Sequence, residues 1–171
     1  MPVIKLPYGT DFLEVDIPEE RLNGILVSKL HHYKPQLSQE ELVRQALENP
    51  VGTPKLREIA KGKNKVCVIS SDHTRPVPSK IIMPLILEEI RKGNPDADIT
   101  ILISTGCHRE TTKEELEAKF GSEIVSKEKI HVHNCDDESM LVNIGVLPSG
   151  GLLIINKLAV EADLLIAEGF I

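Results

Sequence analysis

Two stretches of this chain repeat one grammar: an apolar run, a short polar loop, then an amphipathic helix pattern. The run Lys65-Val66-Cys67-Val68-Ile69 passes through Ser70 and Ser71 into Asp72-His73-Thr74-Arg75-Pro76, and a helix is predicted over 78–92. Further on, Ile99-Thr100-Ile101-Leu102-Ile103-Ser104 leads into Thr105-Gly106-Cys107-His108-Arg109 and a helix opened by Thr111-Thr112. Continuous apolar runs that alternate with helices read as buried strands of a parallel sheet. Such a sheet presents its ligand site at the carboxyl ends of its strands. The two loops are therefore expected side by side, with Asp72, His73, Thr74, Arg75 and His108 as the first functional candidates.

The segments around this core have less regular patterns. Val3-Ile4-Lys5-Leu6 and Phe12-Leu13-Glu14-Val15-Asp16-Ile17 alternate about Pro7-Tyr8-Gly9, which predicts a hairpin with one wet face. Ser38 and Glu41 form a capping box, Thr53-Pro54 opens a helix predicted through Lys61, and Gly62 closes it. No Ser/Gly-rich linker follows, so one domain over 1–171 is expected, with a hairpin and helical flank over 1–62 and a parallel core over 63–171. That core continues with a strand over 129–133, a hairpin about Pro148-Ser149-Gly150, a short helix over 157–161 and a strand over 163–167. The fold class is α/β: a Rossmann-like, mostly parallel sheet with flanking helices and an amino-terminal β-hairpin. Another loop and helix should follow the last strand, so the chain is expected to be part of a longer protein.

Composition narrows the partners. A net charge of −6 without a basic block repels nucleic-acid phosphates and anionic membranes, so an anionic ligand needs a local cation. At 3% aromatic content and no Trp, the chain has no stacking platform for single-stranded nucleic acid. Apolar runs too short to span a bilayer, no signal-peptide grammar at Met1 to Lys5, and three cysteines read as free thiols point to the cytoplasm.

Each candidate has a chemical and a plain reading. Arg75 offers a planar fork that matches a carboxylate or phosphate, or else pairs with a surface acid. Asp72 can orient that fork, bind a hydroxyl, or cap its own turn. His108, after a flexible Gly106-Cys107, can exchange protons near neutral pH or stand in solvent. His131, His133 and Cys135 alternate along one strand face, but structural zinc usually takes paired ligands from separate turns, and no metal site is assigned. Cys107 reads as a small thiol without an activating partner. The spacings of the common dinucleotide and NTP loops are absent.

Asp72-His73-Thr74-Arg75-Pro76, Thr105-Gly106-Cys107-His108-Arg109 with Thr111-Thr112, and His133-Asn134-Cys135-Asp136-Asp137, in this order, resemble the nickel-pincer nucleotide-dependent lactate racemase family. Pro7-Tyr8-Gly9, Ile155-Asn156-Lys157 and Glu161-Ala162-Asp163 extend the resemblance over nearly the whole chain. It implies an enzyme that inverts lactate or another small 2-hydroxy acid by moving a hydride to and from a nickel pyridinium-3,5-bisthiocarboxylate mononucleotide. His108 then matches one of two proton-exchanging histidines. Asp72, His73, Thr74 and Arg75 match the cofactor-contacting loop, with Arg75 also steadying the substrate. The family's second catalytic His, its cofactor-linking Lys and a nickel-donating His lie beyond residue 171. The chain alone is accordingly expected to be inactive, without tightly bound cofactor, and to need the carboxyl-terminal part of the same protein. The alternatives are a non-catalytic nucleotide- or anion-binding module and a metal-dependent hydrolase built on His108, His131, His133 and Cys135.

Overall fold

The computed structural model describes residues 3–169 and divides into two compact units, Met1–Gln36 and Leu37–Ile171. In the first, strands β1 (Val3–Tyr8) and β2 (Asp11–Asp16) pair antiparallel, with Tyr8 opposite Asp11. Gly9 takes φ 62° in the connecting turn, a conformation that costs a residue with a Cβ about 1–2 kcal/mol. Alternation set the register, but both faces of this ribbon are exposed rather than one.

The second unit starts with α1 (Gln39–Glu48), whose N-cap Ser38 and Glu41 form the expected capping box, and α2 (Leu56–Ile59). Both pack on α3 (Ser79–Gly93) and so lie with the parallel core, not with the hairpin. The helix expected from 53 is a single turn. Pro54 disfavours helical ψ in the residue before it, Lys55 is still extended at ψ 146°, and Gly62 turns the chain away at φ 70°.

Strands β3 (Lys65–Ser71), β4 (Asp98–Ser104), β5 (Lys129–Val132) and β8 (Leu164–Glu168) form one parallel sheet in the order β5-β4-β3-β8. Between β4 and β5 the expected helix breaks at Gly121, φ 90°, into α4 (Lys113–Phe120) and α5 (Ser122–Lys127). Between β5 and β8, β6 (Leu141–Val146) and β7 (Leu152–Asn156) make the expected hairpin as a separate ribbon, followed by α6 (Lys157–Val160). No helix of the described residues is long and apolar enough to cross a membrane.

The core forms where the apolar stripe of α3 (Met83, Ile86, Leu87, Ile90) meets Val66 and Val68 of β3 and Ile99, Ile101 and Ile103 of β4. Leu116, Phe120 and Ile124 close it from α4 and α5. Each such side chain contributes about 1.5–3 kcal/mol by leaving water, enough to hold the two strands that carry the polar loops. At the end of α3 a Cβ on Gly93 would overlap the Arg57 carbonyl oxygen and stand 2.9 Å from the Ala60 Cβ. Gly93→Ala should destabilise the chain by about 1–3 kcal/mol, because overpacking against backbone outweighs the roughly 0.5–1 kcal/mol that alanine gains in a helix. A urea-unfolding midpoint lowered at unchanged slope is the expected result; an unchanged midpoint would show that α2 moves aside freely.

Candidate functional site

Parallel register sets the site. Ser71 of β3 lies opposite Ser104 of β4, so the loops that leave these strands emerge together, and the Ser104 hydroxyl donates to the Ser70 carbonyl at 3.0 Å. In the first loop Asp72 is 2% exposed. Its Oδ1 accepts from the Thr74 amide at 3.0 Å and the Thr74 hydroxyl at 2.6 Å, which is the Asx turn the sequence allowed. In the second loop the His108 amide donates to the Thr105 carbonyl at 3.0 Å across Gly106, whose φ of 59° tightens the turn. That turn brings His108 Nδ1 to 2.6 Å from Asp72 Oδ2.

The charge on Asp72 decides the tautomer of His108. Burial pushes the Asp72 carboxyl up, but the Thr74 hydroxyl, His108 and the Thr74 amide outweigh it and hold the group at about 2, below its ordinary 3.8. An ionised carboxylate only accepts, so Nδ1 must carry the proton, and Nε2 keeps the free lone pair. The His108 side chain is 51% exposed, so that lone pair belongs to a group open to solvent. Stability from Asp72 is present above pH 3.8 and is lost as pH falls through about 2. Acid titration of the unfolding midpoint should therefore show a decline between these values that Asp72→Asn flattens; identical acid limbs would mean that the carboxylate gains nothing on folding.

Thr74 links Arg75 to this pair. Its hydroxyl donates to Asp72 and accepts from the Arg75 guanidinium at 3.1 Å. Arg75 is exposed and makes no ion pair among the described residues, contrary to the plain reading of a surface Arg satisfied by an acid. A guanidinium that spends Nη1 on Thr74 and is not otherwise engaged among the described residues is suited to a carboxylate or phosphate. His73 turns elsewhere: its Nδ1 lies 3.2 Å from the Thr111 hydroxyl and 3.7 Å from Glu115 Oε2. Together with Arg75, Glu115 and Lys119 it lines a cleft of about 300 Å³. Glu115 itself is gripped by both Arg109 nitrogens at 2.9 and 2.6 Å, which holds its carboxyl down at about 2.

The strand-face histidines are engaged differently. His133 follows β5 rather than ending it; its carbonyl accepts from the Thr105 hydroxyl, and its Nδ1 lies 3.1 Å from Asn156 Nδ2. His133 and Cys135 line an apolar cleft of about 410 Å³ with Leu102, Leu141 and Ile154. No three His, Cys, Asp or Glu side chains among the described residues converge on a metal-sized centre. Cys107 and Cys135 are exposed, and burial, then Asp136, then the Cys107 thiol push the Cys135 thiol up, away from thiolate reactivity. Sequence reasoning passed over Lys119 and Glu168. Both reach the same sheet edge, and no local pattern marks a charged helix or strand residue as buried.

Comparison with known proteins agrees with this fold. A family model described as the lactate racemase N-terminal domain matches residues 8–171. Lactate racemases of Thermoanaerobacterium thermosaccharolyticum and Lactiplantibacillus plantarum are 54% and 52% identical over all of this chain, which spans 40% of the length of each. The solved structure of the Thermoanaerobacterium thermosaccharolyticum lactate racemase apoprotein matches with a TM-score of 0.88 at 53% identity, covering 99% of this chain and 39% of that one. A Thermotoga maritima protein, TM-score 0.59 at 22% identity over 75% of this chain and 32% of its own, shares the fold alone. The chain belongs to the lactate racemase N-terminal domain family.

Proposed function

We propose that this chain is the amino-terminal portion of a lactate-racemase-type enzyme, an isomerase of small 2-hydroxy acids, in which His108 is a proton-exchanging base and Arg75 anchors the substrate carboxylate. The observation that carries this reading is the hydrogen bond of 2.6 Å between His108 and a buried, ionised Asp72, beside a guanidinium that no acid occupies among the described residues. A C–H carbon gives up hydride readily only while its hydroxyl proton is being removed, which asks for a base matched to neutral pH. His108 Nε2 takes that proton from the substrate oxygen in one direction of the reaction and returns it to the oxygen in the other. Asp72 holds the ring in the required tautomer and stabilises the imidazolium. Arg75 fixes the carboxylate, so that the hydroxyl and not the acid group faces the base.

The family resemblance assigns a nickel-pincer nucleotide to such an enzyme, and the donors present fit its organic, anionic part. Among the described residues no acid engages the Arg75 guanidinium, which spends Nη1 on Thr74; the Thr74 hydroxyl gives its proton to Asp72 and keeps the loop in shape, and His73, on the same loop, rests by Nδ1 on Thr111. With Asp72 behind them, these residues would hold the group through its acid functions, while the resemblance places the nickel and covalent donors beyond residue 171. When bound, the group supplies the hydride acceptor.

The test uses the longer protein loaded with cofactor and given enantiopure L-lactate. Approach to an equal mixture of enantiomers, from either starting enantiomer, is expected, with no turnover by the 171-residue chain alone. Lactate that stays enantiopure while the loaded protein retains its nucleotide would favour a carrier or binding module instead.

A further inference from the structure

Glu168 ends β8 at 7% exposure. Its Oε2 accepts from the Ser70 hydroxyl at 2.7 Å, whereas Oε1 is buried and has no hydrogen-bond partner among the described residues. On the neighbouring strand Asp72, 2% exposed, stands two residues past Ser70, the register partner of Glu168. Two carboxyl groups at one sheet edge bring negative charge where it is costly to hold away from water. A third charge offsets this. Lys119, partly buried on α4, donates from Nζ to the hydroxyl of Ser71, the residue between the two anchoring points, at 3.3 Å.

We infer that Lys119 is a positioning residue, a counter-cation seated on Ser71 between the anchoring points of Asp72 and Glu168, whose charge sets the field in which His108 exchanges its proton. Burial pushes the Lys119 ammonium down, and the charges of Glu168 and then Asp72 resist that fall. No carboxylate lies within ion-pair distance of its nitrogen among the described residues; the ammonium acts through space on both, from a fixed seat on Ser71. The other charges at this edge are committed elsewhere. Arg109 closes on Glu115 and feels Asp72 only at longer range; His73 rests on Thr111 and Glu115; Arg75 bonds Thr74. The consequence for turnover rests on the base role proposed for His108, but the electrostatic effect does not.

The experiment reads the imidazole directly, by the NMR titration of His108 Cε1–H in the 171-residue chain. The Lys119 charge, held at the sheet edge that carries the Asp72–His108 pair, opposes the imidazolium, so Lys119→Met should raise the titration midpoint by up to about one pH unit at an effective dielectric of about 20. Lys119→Arg, which keeps the charge, should restore it, and a loss of packing alone would not distinguish these two variants. Glu168→Gln should move the midpoint the other way, since it leaves the field of Lys119 undivided; this variant decides the matter should Lys119→Met fail to fold. An unmoved midpoint in folded Lys119→Met, or an unmoved midpoint in Glu168→Gln, overturns the assignment. Racemisation does not enter the measurement, so an inactive longer protein would leave the inference standing and refute only the proposed function.

Discussion

His108→Ala is expected to lower the racemisation rate of the longer enzyme by roughly two to four decades, the usual worth of a general base. The loss should appear equally in both directions, because the same nitrogen that removes a hydroxyl proton in one direction returns it in the other. Cofactor occupancy should stay full, since the Asx turn that shapes the 72–75 loop is held by Asp72 Oδ1 and Thr74 and does not need the His108 ring. The size of the effect follows from geometry. Ionised Asp72 leaves Nε2 as the only free lone pair of the ring, and alanine offers none. Asp72→Asn should reproduce part of the loss, because an amide can donate to Nδ1 and favour the wrong tautomer. Rates are measured from each lactate enantiomer alongside bound cofactor. Near-unsubstituted turnover by His108→Ala at full occupancy would remove this histidine from the chemistry.

The parallel core and its two loops were legible because the runs 65–69 and 99–103 are mostly apolar, rich in Val and Ile and too short for a helix, which reads as buried strand. Adjacency of Asp72 and His108 followed from that grammar, but the bond between them did not. It depends on the register of β3 against β4 and on the turn at Gly106, neither of which local sequence specifies. The flank was read less well. Alternation gave the strands of the hairpin correctly and its wet face incorrectly, since a period of two says which side chains share a face and not what covers it. Lys119 and Glu168 carried no signal at all. A lysine four residues after Glu115 on a helix reads as surface charge, and only its reach to the Ser71 hydroxyl at the end of β3 brings it to the sheet edge.

Arg75→Lys should act on binding rather than on proton transfer. Lysine keeps the charge but not the planar fork, so a carboxylate held by two parallel hydrogen bonds would be held by one. A charge-assisted hydrogen bond contributes about 1.5–3 kcal/mol, which corresponds to roughly a ten- to hundredfold loss in kcat/KM. Most of it should fall on KM, with kcat moved less, because the anchoring bonds are present before the hydroxyl proton leaves. Lysine also cannot reach Thr74 with the same rigid geometry, so the relay from Arg75 through Thr74 to Asp72 would loosen, and this accounts for whatever kcat is lost. Thr74→Val separates the two contributions: it breaks the relay and keeps the fork, and should lower kcat with little change in KM. Should Arg75→Lys instead lower kcat alone at an unchanged KM, the guanidinium would belong to the hydride-accepting group and not to the substrate carboxylate.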